Sequence, residues 1–270
     1  MMRIDRELAR RVEHSAAELA SLQAAAIAAL VPSSLAAAEQ LDGGTLVAFG
    51  RGRYVNRAVG VGLGGMAAGA IVAATDEFYE HRSMAASLEI GPWVDDALLA
   101  ALAGAGYRLE RFRNVYAIDL AGIPEATTVR VVRVDSATAM VRQAILAGDA
   151  PADSEARRIS DEYCVAAAAV EGAHDFVAMV GDLAAACGSL NVVGDIGWLG
   201  GAATLPAHRC SGLQSELVTH RLLLARQLGC ALAAATALPG GQSARNLERL
   251  GFSLLHTQAV VSRTISPVQR

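Results

Sequence analysis

The chemistry-bearing stretch of this chain is Gly200-Gly-Ala-Ala-Thr-Leu-Pro-Ala-His-Arg209-Cys-Ser-Gly212-Leu-Gln214. A strand reaches about Leu205, Pro206 stops its ladder, and a helix opens near Gly212. The N–H groups of a loop and a first helical turn have no intrahelical acceptor. With the helix dipole they form an anion site. Gly212 lets a ligand come close to the backbone, and Arg209 adds a charge suited to a phosphate. The spacing therefore predicts a pyrophosphate-bearing ligand. An ordinary strand-to-helix corner, with glycine as the tight turn, fits the same spacing.

Other candidates carry less. Gly60-Val-Gly62-Leu-Gly64-Gly65 matches G-x-G-x-x-G, with a helix pattern after it and Glu89 at the end of the next strand. That is the order of a dinucleotide fingerprint. The strand before it is short, however, and Glu89 comes later than the usual spacing of about 20 residues. Cys210 sits at a predicted helix N-terminus, where thiol pKa values fall, but its only near base is His208, and side chains so spaced seldom meet. We read Cys210 as a loop filler, His256 as a solvated or satisfied histidine, and Trp93 and Trp198 as packing residues. The chain has no lysine, all 23 basic residues being arginine, which excludes Schiff-base chemistry on lysine.

The elements that must position the loop follow from the pattern. The chain has 270 residues, 53% hydrophobic and 19% charged, enough for a sizeable core. A net charge of -4 gives no basic field for nucleic acid. No apolar run reaches the roughly 20 residues of a membrane span. The four cysteines, Cys164, Cys187, Cys210 and Cys230, form no metal spacing and suit a reduced cytoplasm. Periodicity predicts helices over 4–30, 67–80, 94–105, 136–146, 154–170, 212–228 and 243–250. Strands are expected over 45–49, 57–63, 85–90, 107–120, 129–134, 176–180, 183–193, 196–205, 230–236 and 252–263. Leu98, Leu99 and Leu102 are expected to face inward, and so are Leu213, Leu217, Leu224 and Leu228 along one side of their helix.

The order strand, helix, strand, helix, Gly-aromatic, long strand occurs twice, ending at Gly106-Tyr107 and at Gly251-Phe252. This suggests a duplicated α/β unit. The best linker is Ala121-Gly-Ile-Pro-Glu125, which sets expected domains of 1–122 and 126–270.

The segment Thr204-Leu-Pro-Ala-His-Arg209-x-x-Gly212, followed by an amphipathic helix, resembles the acyl-CoA loop of GNAT-superfamily N-acetyltransferases. Ala234-Ala-Thr236, Ser243-x-x-Asn246 and Arg249-Leu-Gly-Phe252 resemble the next strand and helix of that family. The resemblance covers roughly residues 129–263, and the first half resembles a degenerate copy without the Arg-x-x-Gly loop. It implies an α/β (α+β) fold of two GNAT-like units, each a mixed, mostly antiparallel sheet flanked by helices. The backbone of Ala203, Thr204 and Leu205 would run beside the pantetheine arm. The amides of Arg209, Cys210, Ser211, Gly212, Leu213 and Gln214 would cradle the pyrophosphate, and Ser243 and Asn246 would contact the cofactor from the next helix.

Gln214 departs from the small residue that usually closes this loop. Its side chain is expected to point away from a site made of amides. The position of the family's frequent base, a Glu, falls near Trp198, and that of its frequent acid, a Tyr, near Leu247. Neither can move a proton, so catalytic residues stay unassigned, with Glu162, Tyr163, Glu171 and His174 near in sequence. The resemblance implies an N-acetyltransferase using acetyl-CoA as cosubstrate, with no metal. Its partner would be a small-molecule or peptide amine acceptor, with no nucleic acid or membrane involved. A non-catalytic acyl-CoA sensor is the alternative.

Overall fold

The computed structural model describes residues 3–50, 56–123, 131–134, 145, 148, 151 and 153–263. The expected helix over 136–146 and the linker beyond Ile123 lie outside these, apart from Ile145. Compactness divides the chain into two units that do not follow chain order: one holds Arg3–Val115 with the segment from Leu255 onward, the other Tyr116–Leu254. The boundaries expected from the linker, 1–122 and 126–270, do follow chain order. The difference lies in the last strand, which joins the first unit from Leu255, and in residues 116–122, which join the second.

In the first unit, α1 (Arg6–Leu30) begins at Asp5, whose Oδ1 accepts the Leu8 amide at 3.0 Å. It is followed by β1 (Ala37–Leu41), β2 (Gly44–Ala48), β3 (Arg57–Val59), α2 (Ala68–Glu80), β4 (Ala86–Ile90), α3 (Asp96–Gly104) and β5 (Arg108–Asp119). Strand β1 was not expected, because its sequence Ala-Ala-Glu-Gln-Leu has weak strand preference. The signal for it was the Asp42-Gly43 turn, with both φ angles positive, which closes a β1–β2 hairpin. The strand order is β1-β2-β3-β4-β11-β5, where β11 is Ser253–Arg263. Neighbours β3 and β4 run parallel, linked through α2. Leu98 and Leu102 of α3 are buried, whereas Leu99 is exposed: in nine residues with a turn of 3.6, only the i, i+4 pair reaches the sheet.

The second unit contains β6 (Val131–Val134), α4 (Glu155–Ala168), β7 (Ala173–Val180), β8 (Leu183–Val193), β9 (Ile196–Thr204), α5 (Leu213–Gln227), β10 (Leu232–Ala237) and α6 (Gln242–Arg249). Its order is β5-β10-β9-β8-β7-β6. Here too one pair, β9 and β10, is parallel across a helix, while β8 pairs antiparallel with β7 and β9. The core under α5 gathers Leu213, Leu217, Val218, Leu222 and Ala225 with Leu190, Leu199, Ala235, Ala244 and Leu247. Leu228, expected on that face, is exposed because it is the C-cap, past the last helical turn. Along the chain the order strand, helix, parallel strand, helix, long strand thus occurs twice, as β3-α2-β4-α3-β5 and as β9-α5-β10-α6-β11. The fold is mixed α/β with a mostly antiparallel sheet, as the family resemblance implies.

Candidate functional site

The site begins where β9 and β10 part. They pair in register from Leu232↔Ile196 to Ala235↔Leu199; β9 then runs on to Thr204 beside β8 alone. Between Cys187↔Ala203 and Ser189↔Gly200 a single β8 residue, Gly188, faces two on β9, Gly201 and Ala202, so β9 bulges at this point, with Gly201 at φ +55°. The Leu205 amide donates to the Ala185 carbonyl at 2.9 Å, so residue 205 turns its backbone toward β8. Strand alternation turns the Thr204 N–H to the opposite edge, the one that β10 has left.

Pro206–His208 form one 3-10 turn, and then the chain kinks twice. Cys210 has φ +63° and Gly212 φ +84°, both left-handed, with Ser211 between them. Left-handed backbone costs a non-glycine residue roughly 1–2 kcal/mol, and such strain gathers at ligand sites. Alternating kinks of this kind turn successive N–H groups into one concavity. Among the described residues, the amides of Cys210 through Ser215 have no hydrogen-bond acceptor; the Glu216 amide is the first to be satisfied, by the Gly212 carbonyl at 3.2 Å. The space beside Gly212 is open. Arg209 is exposed, its Nε donating to the Thr204 carbonyl at 3.4 Å.

Gln214 ties its helix to the strands. Its side chain points into the strands: Nε2 donates to the Ala203 carbonyl at 2.7 Å, to Thr204 Oγ1 at 3.0 Å and to the Cys187 carbonyl at 3.3 Å. The bulge leaves these acceptors within reach, and an amide satisfies them where a small residue would not. The Gln214 backbone amide has no acceptor among the described residues.

On α6, Ser243 is exposed in the first turn. Asn246 Oδ1 accepts from Gln242 Nε2 at 2.9 Å and from Arg249 Nη2, which leaves its Nδ2 unengaged among the described residues. Helices α5 and α6 share one core with β10, through Leu213, Leu217, Ala244 and Leu247. That core fixes the loop and the α6 N-terminus relative to the parted strands. At the two positions expected for proton transfer, Trp198 and Leu247 are both buried. Glu162 of α4 is taken by Arg158 at 2.8 Å. None of the four cysteines is in a disulfide; Cys210 is the exposed one.

Four buried polar residues near the bulge escaped the sequence reading. Arg221 of α5 is 1% exposed. Its Nε donates to the Leu217 carbonyl at 3.0 Å, and its Nη1 to the carbonyls of Ser189 at 3.0 Å and Gly200 at 3.3 Å. Burial pushes its pKa down to about 10, so it stays charged at neutral pH. A Cβ on Gly188 would lie 2.7 Å from its guanidinium carbon, which explains the glycine there. Asp175, Ser189 and Asn191 are 4%, 7% and 6% exposed. Their signal was polar residues alternating along strands that otherwise read as apolar, Ser189-Leu-Asn191 above all.

The matching loop of the first unit, 60–67, has other partners. Asp42 Oδ1 accepts the Met66 amide at 2.8 Å, and the Asp42 carbonyl accepts the Leu63 amide at 3.3 Å. A Cβ on Gly64 would come 2.4 Å from Asp42 Oδ1, so this glycine serves close packing on the hairpin turn. Glu89, the acidic residue of the nucleotide reading, is buried against Arg57 at 3.3 Å and Arg113.

No match is found among curated proteins. Among solved structures the chain is similar to a GCN5-related N-acetyltransferase from Kribbella flavida, with 16% identity, TM-score 0.68 and 96% of each chain covered. It is similar to one from Sphaerobacter thermophilus, with 17% identity, TM-score 0.55, and 92% of this chain and 91% of that one covered. A tandem GNAT protein from the clavulanic acid biosynthesis pathway matches with 17% identity and TM-score 0.54, over 82% of this chain and 73% of that one. At these identities the likeness speaks for the fold. Residues 143–252 match the model of the acetyltransferase (GNAT) family.

Proposed function

We propose that the chain is an acyl-CoA-dependent N-acyltransferase that moves an acetyl group from acetyl-CoA to an amine, with the second unit holding the donor and the first a degenerate copy. The observation that carries this reading is the run of unsatisfied amides from Cys210 to Ser215, set by two left-handed residues at the head of α5. A pyrophosphate is the acceptor such a cradle fits, and Arg209 stands beside it. The parted edge of β9 offers Thr204 to a pantetheine amide in the manner of an added strand. Ser243 and Asn246 face the arm from α6. In the reaction the amine nitrogen attacks the thioester carbon, the C–S bond breaks, and the proton lost by nitrogen ends on the departing thiolate. Four thiols outside any disulfide fit a reducing cytoplasm.

Trp198 and Leu247 favour a second reading, a non-catalytic acyl-CoA sensor, because neither can carry a proton. Calorimetric titration of acetyl-CoA, with NADH as control, tests the common part: one site per chain is expected, and no binding overturns both readings. Release of free thiol that depends on an added amine separates the enzyme from the sensor.

A further inference from the structure

One face of the second unit's sheet packs on α5 through Leu190, Leu199 and Ala235. Side chains alternate along a strand, so the residues one step off in register share the opposite face. These are Ser189 and Asn191 of β8, Trp198 and Gly200 of β9, and Asp175 of β7. Two transverse rows result: Asp175↔Ser189↔Gly200, and Asn191↔Trp198 beside it. The first row ends where β9 and β10 have parted, and Gly200 is only partly covered. A side chain at Gly200 would begin 3.6 Å from Ser189 Oγ, so glycine leaves the space before that hydroxyl empty.

Ser189 Oγ and the Asn191 amide, each in a residue more than nine-tenths buried, have no hydrogen-bond partner among the described residues. Each of the two side chains can both give and take a hydrogen bond. Asp175 has a neighbour of its own. A carboxylate offers about four lone-pair sites, so it can take a further donor.

We propose that Asp175, Ser189 and Asn191 form the floor of an acceptor subsite for a small cationic amine bearing hydroxyl groups, an amino alcohol or amino sugar. The inference rests on the acyltransferase reading and specifies its acceptor. Asp175 supplies charge to the ammonium. Ser189 and Asn191 give and take hydrogen bonds with the hydroxyls, which a plain alkylamine lacks. A site built to bond a hydroxyl discriminates against the analogue without one.

The test compares glucosamine with cyclohexylamine, and ethanolamine with ethylamine, as acceptors for acetyl-CoA, following free thiol. Wild type is expected to favour the hydroxylated member of each pair about tenfold or more. Ser189→Ala and Asn191→Ala should each cut that preference about three- to tenfold, by raising KM with kcat retained. Asp175→Asn should lower kcat/KM for both members of a pair, with partial rescue by Asp175→Glu. The acetyl-CoA Kd of every variant, measured by calorimetry, should equal that of wild type, which also shows that each has folded. Equal preference in wild type and the serine and asparagine variants, no turnover of any of these amines, or a parallel loss of acetyl-CoA affinity would overturn the proposal. Absence of acetyl-CoA binding to wild type would instead defeat the acyltransferase reading, before any amine is added. Direct titration of glucosamine then still reads the floor: saturable binding lost in Asp175→Asn supports it, and no binding overturns it.

Discussion

The two strand-to-helix loops of this chain have the same place in a repeated plan and opposite hydrogen-bond accounts. Loop 205–212 leaves its last amides, from Cys210 on, without an acceptor among the described residues, a carboxylate included. Loop 60–67 is glycine-rich and matches a nucleotide fingerprint in sequence, yet the side chain and carbonyl of Asp42 have taken its Met66 and Leu63 amides. An anion site needs unsatisfied donors and a favourable potential. A carboxylate bonded within the loop removes both. What separates the loops is thus one residue on a neighbouring hairpin, 18 or more positions away in sequence from the first loop glycine.

The sharpest break of this comparison is a pair of substitutions. Gly212→Trp should weaken acetyl-CoA binding at least a hundredfold in calorimetry, by filling the cradle, with the circular dichroism spectrum unchanged. Gly65→Trp, at a glycine with φ +98° and equally open surroundings, should leave acetyl-CoA affinity as it was. Equal losses would mean that both loops bind, and no loss at Gly212 would remove loop 205–212 from the site.

Next comes the support under the second loop. Gly188→Ala would drive a methyl against the Arg221 guanidinium. Overpacking of this kind costs about 1–3 kcal/mol, seen as a lower urea midpoint at unchanged slope. An unaltered midpoint would mean that Arg221 is not held as described. Gln214→Ala removes the tie from α5 to Ala203, Thr204 and Cys187. The expected result is about a three- to tenfold weaker acetyl-CoA Kd. A tighter Kd would show that the glutamine competes with the ligand for the strand edge.

The plan of the chain was legible because periodicity and turn residues report local structure. The glycine-aromatic ends of α3 and α6 and the strands either side of the site all follow from it. What the sequence hid is set by register. Nothing in Ser189-Leu-Asn191 says which face is which until β8 is paired with β9. The inward turn of Gln214 depends on a bulge at Gly201–Ala202 of β9, which exists only once β9 is paired with β8. In the same way, Asp42 cannot be assigned to the loop at Gly60–Met66 until the hairpin is folded beside it.

The smallest expected effect is electrostatic. His220 packs edge-on against Phe176, with ring centroids 5.0 Å apart. Its pKa is lowered, first by burial and then by the neighbouring Arg221. The folded state thus binds the proton less readily than the unfolded state does. Stability is full above the unfolded value of about 6.5 and falls as pH drops from there toward the folded value. Because the ring is partly solvated, the change should be slight. Urea midpoints at pH 7.5 and 5.5 should converge a little in His220→Gln, and an identical pH dependence in both proteins would remove His220 as the source.

The assignment of Leu255–Arg263 to the first unit also bears on how the chain is made. Glu13 of α1 bonds His256 Nε2 at 2.6 Å and Gln258 Nε2 at 2.7 Å, contacts across more than 240 residues. A ribosome adds roughly 5–20 residues per second, so His256 follows Glu13 by about 12–50 s. Throughout that interval the first unit lacks a strand and carries a buried-type carboxylate with its partners unmade. Tyr116–Leu254 is complete in sequence before the final strand emerges. Synthesis therefore favours a reversed order, in which the unit that begins the chain is the last to close.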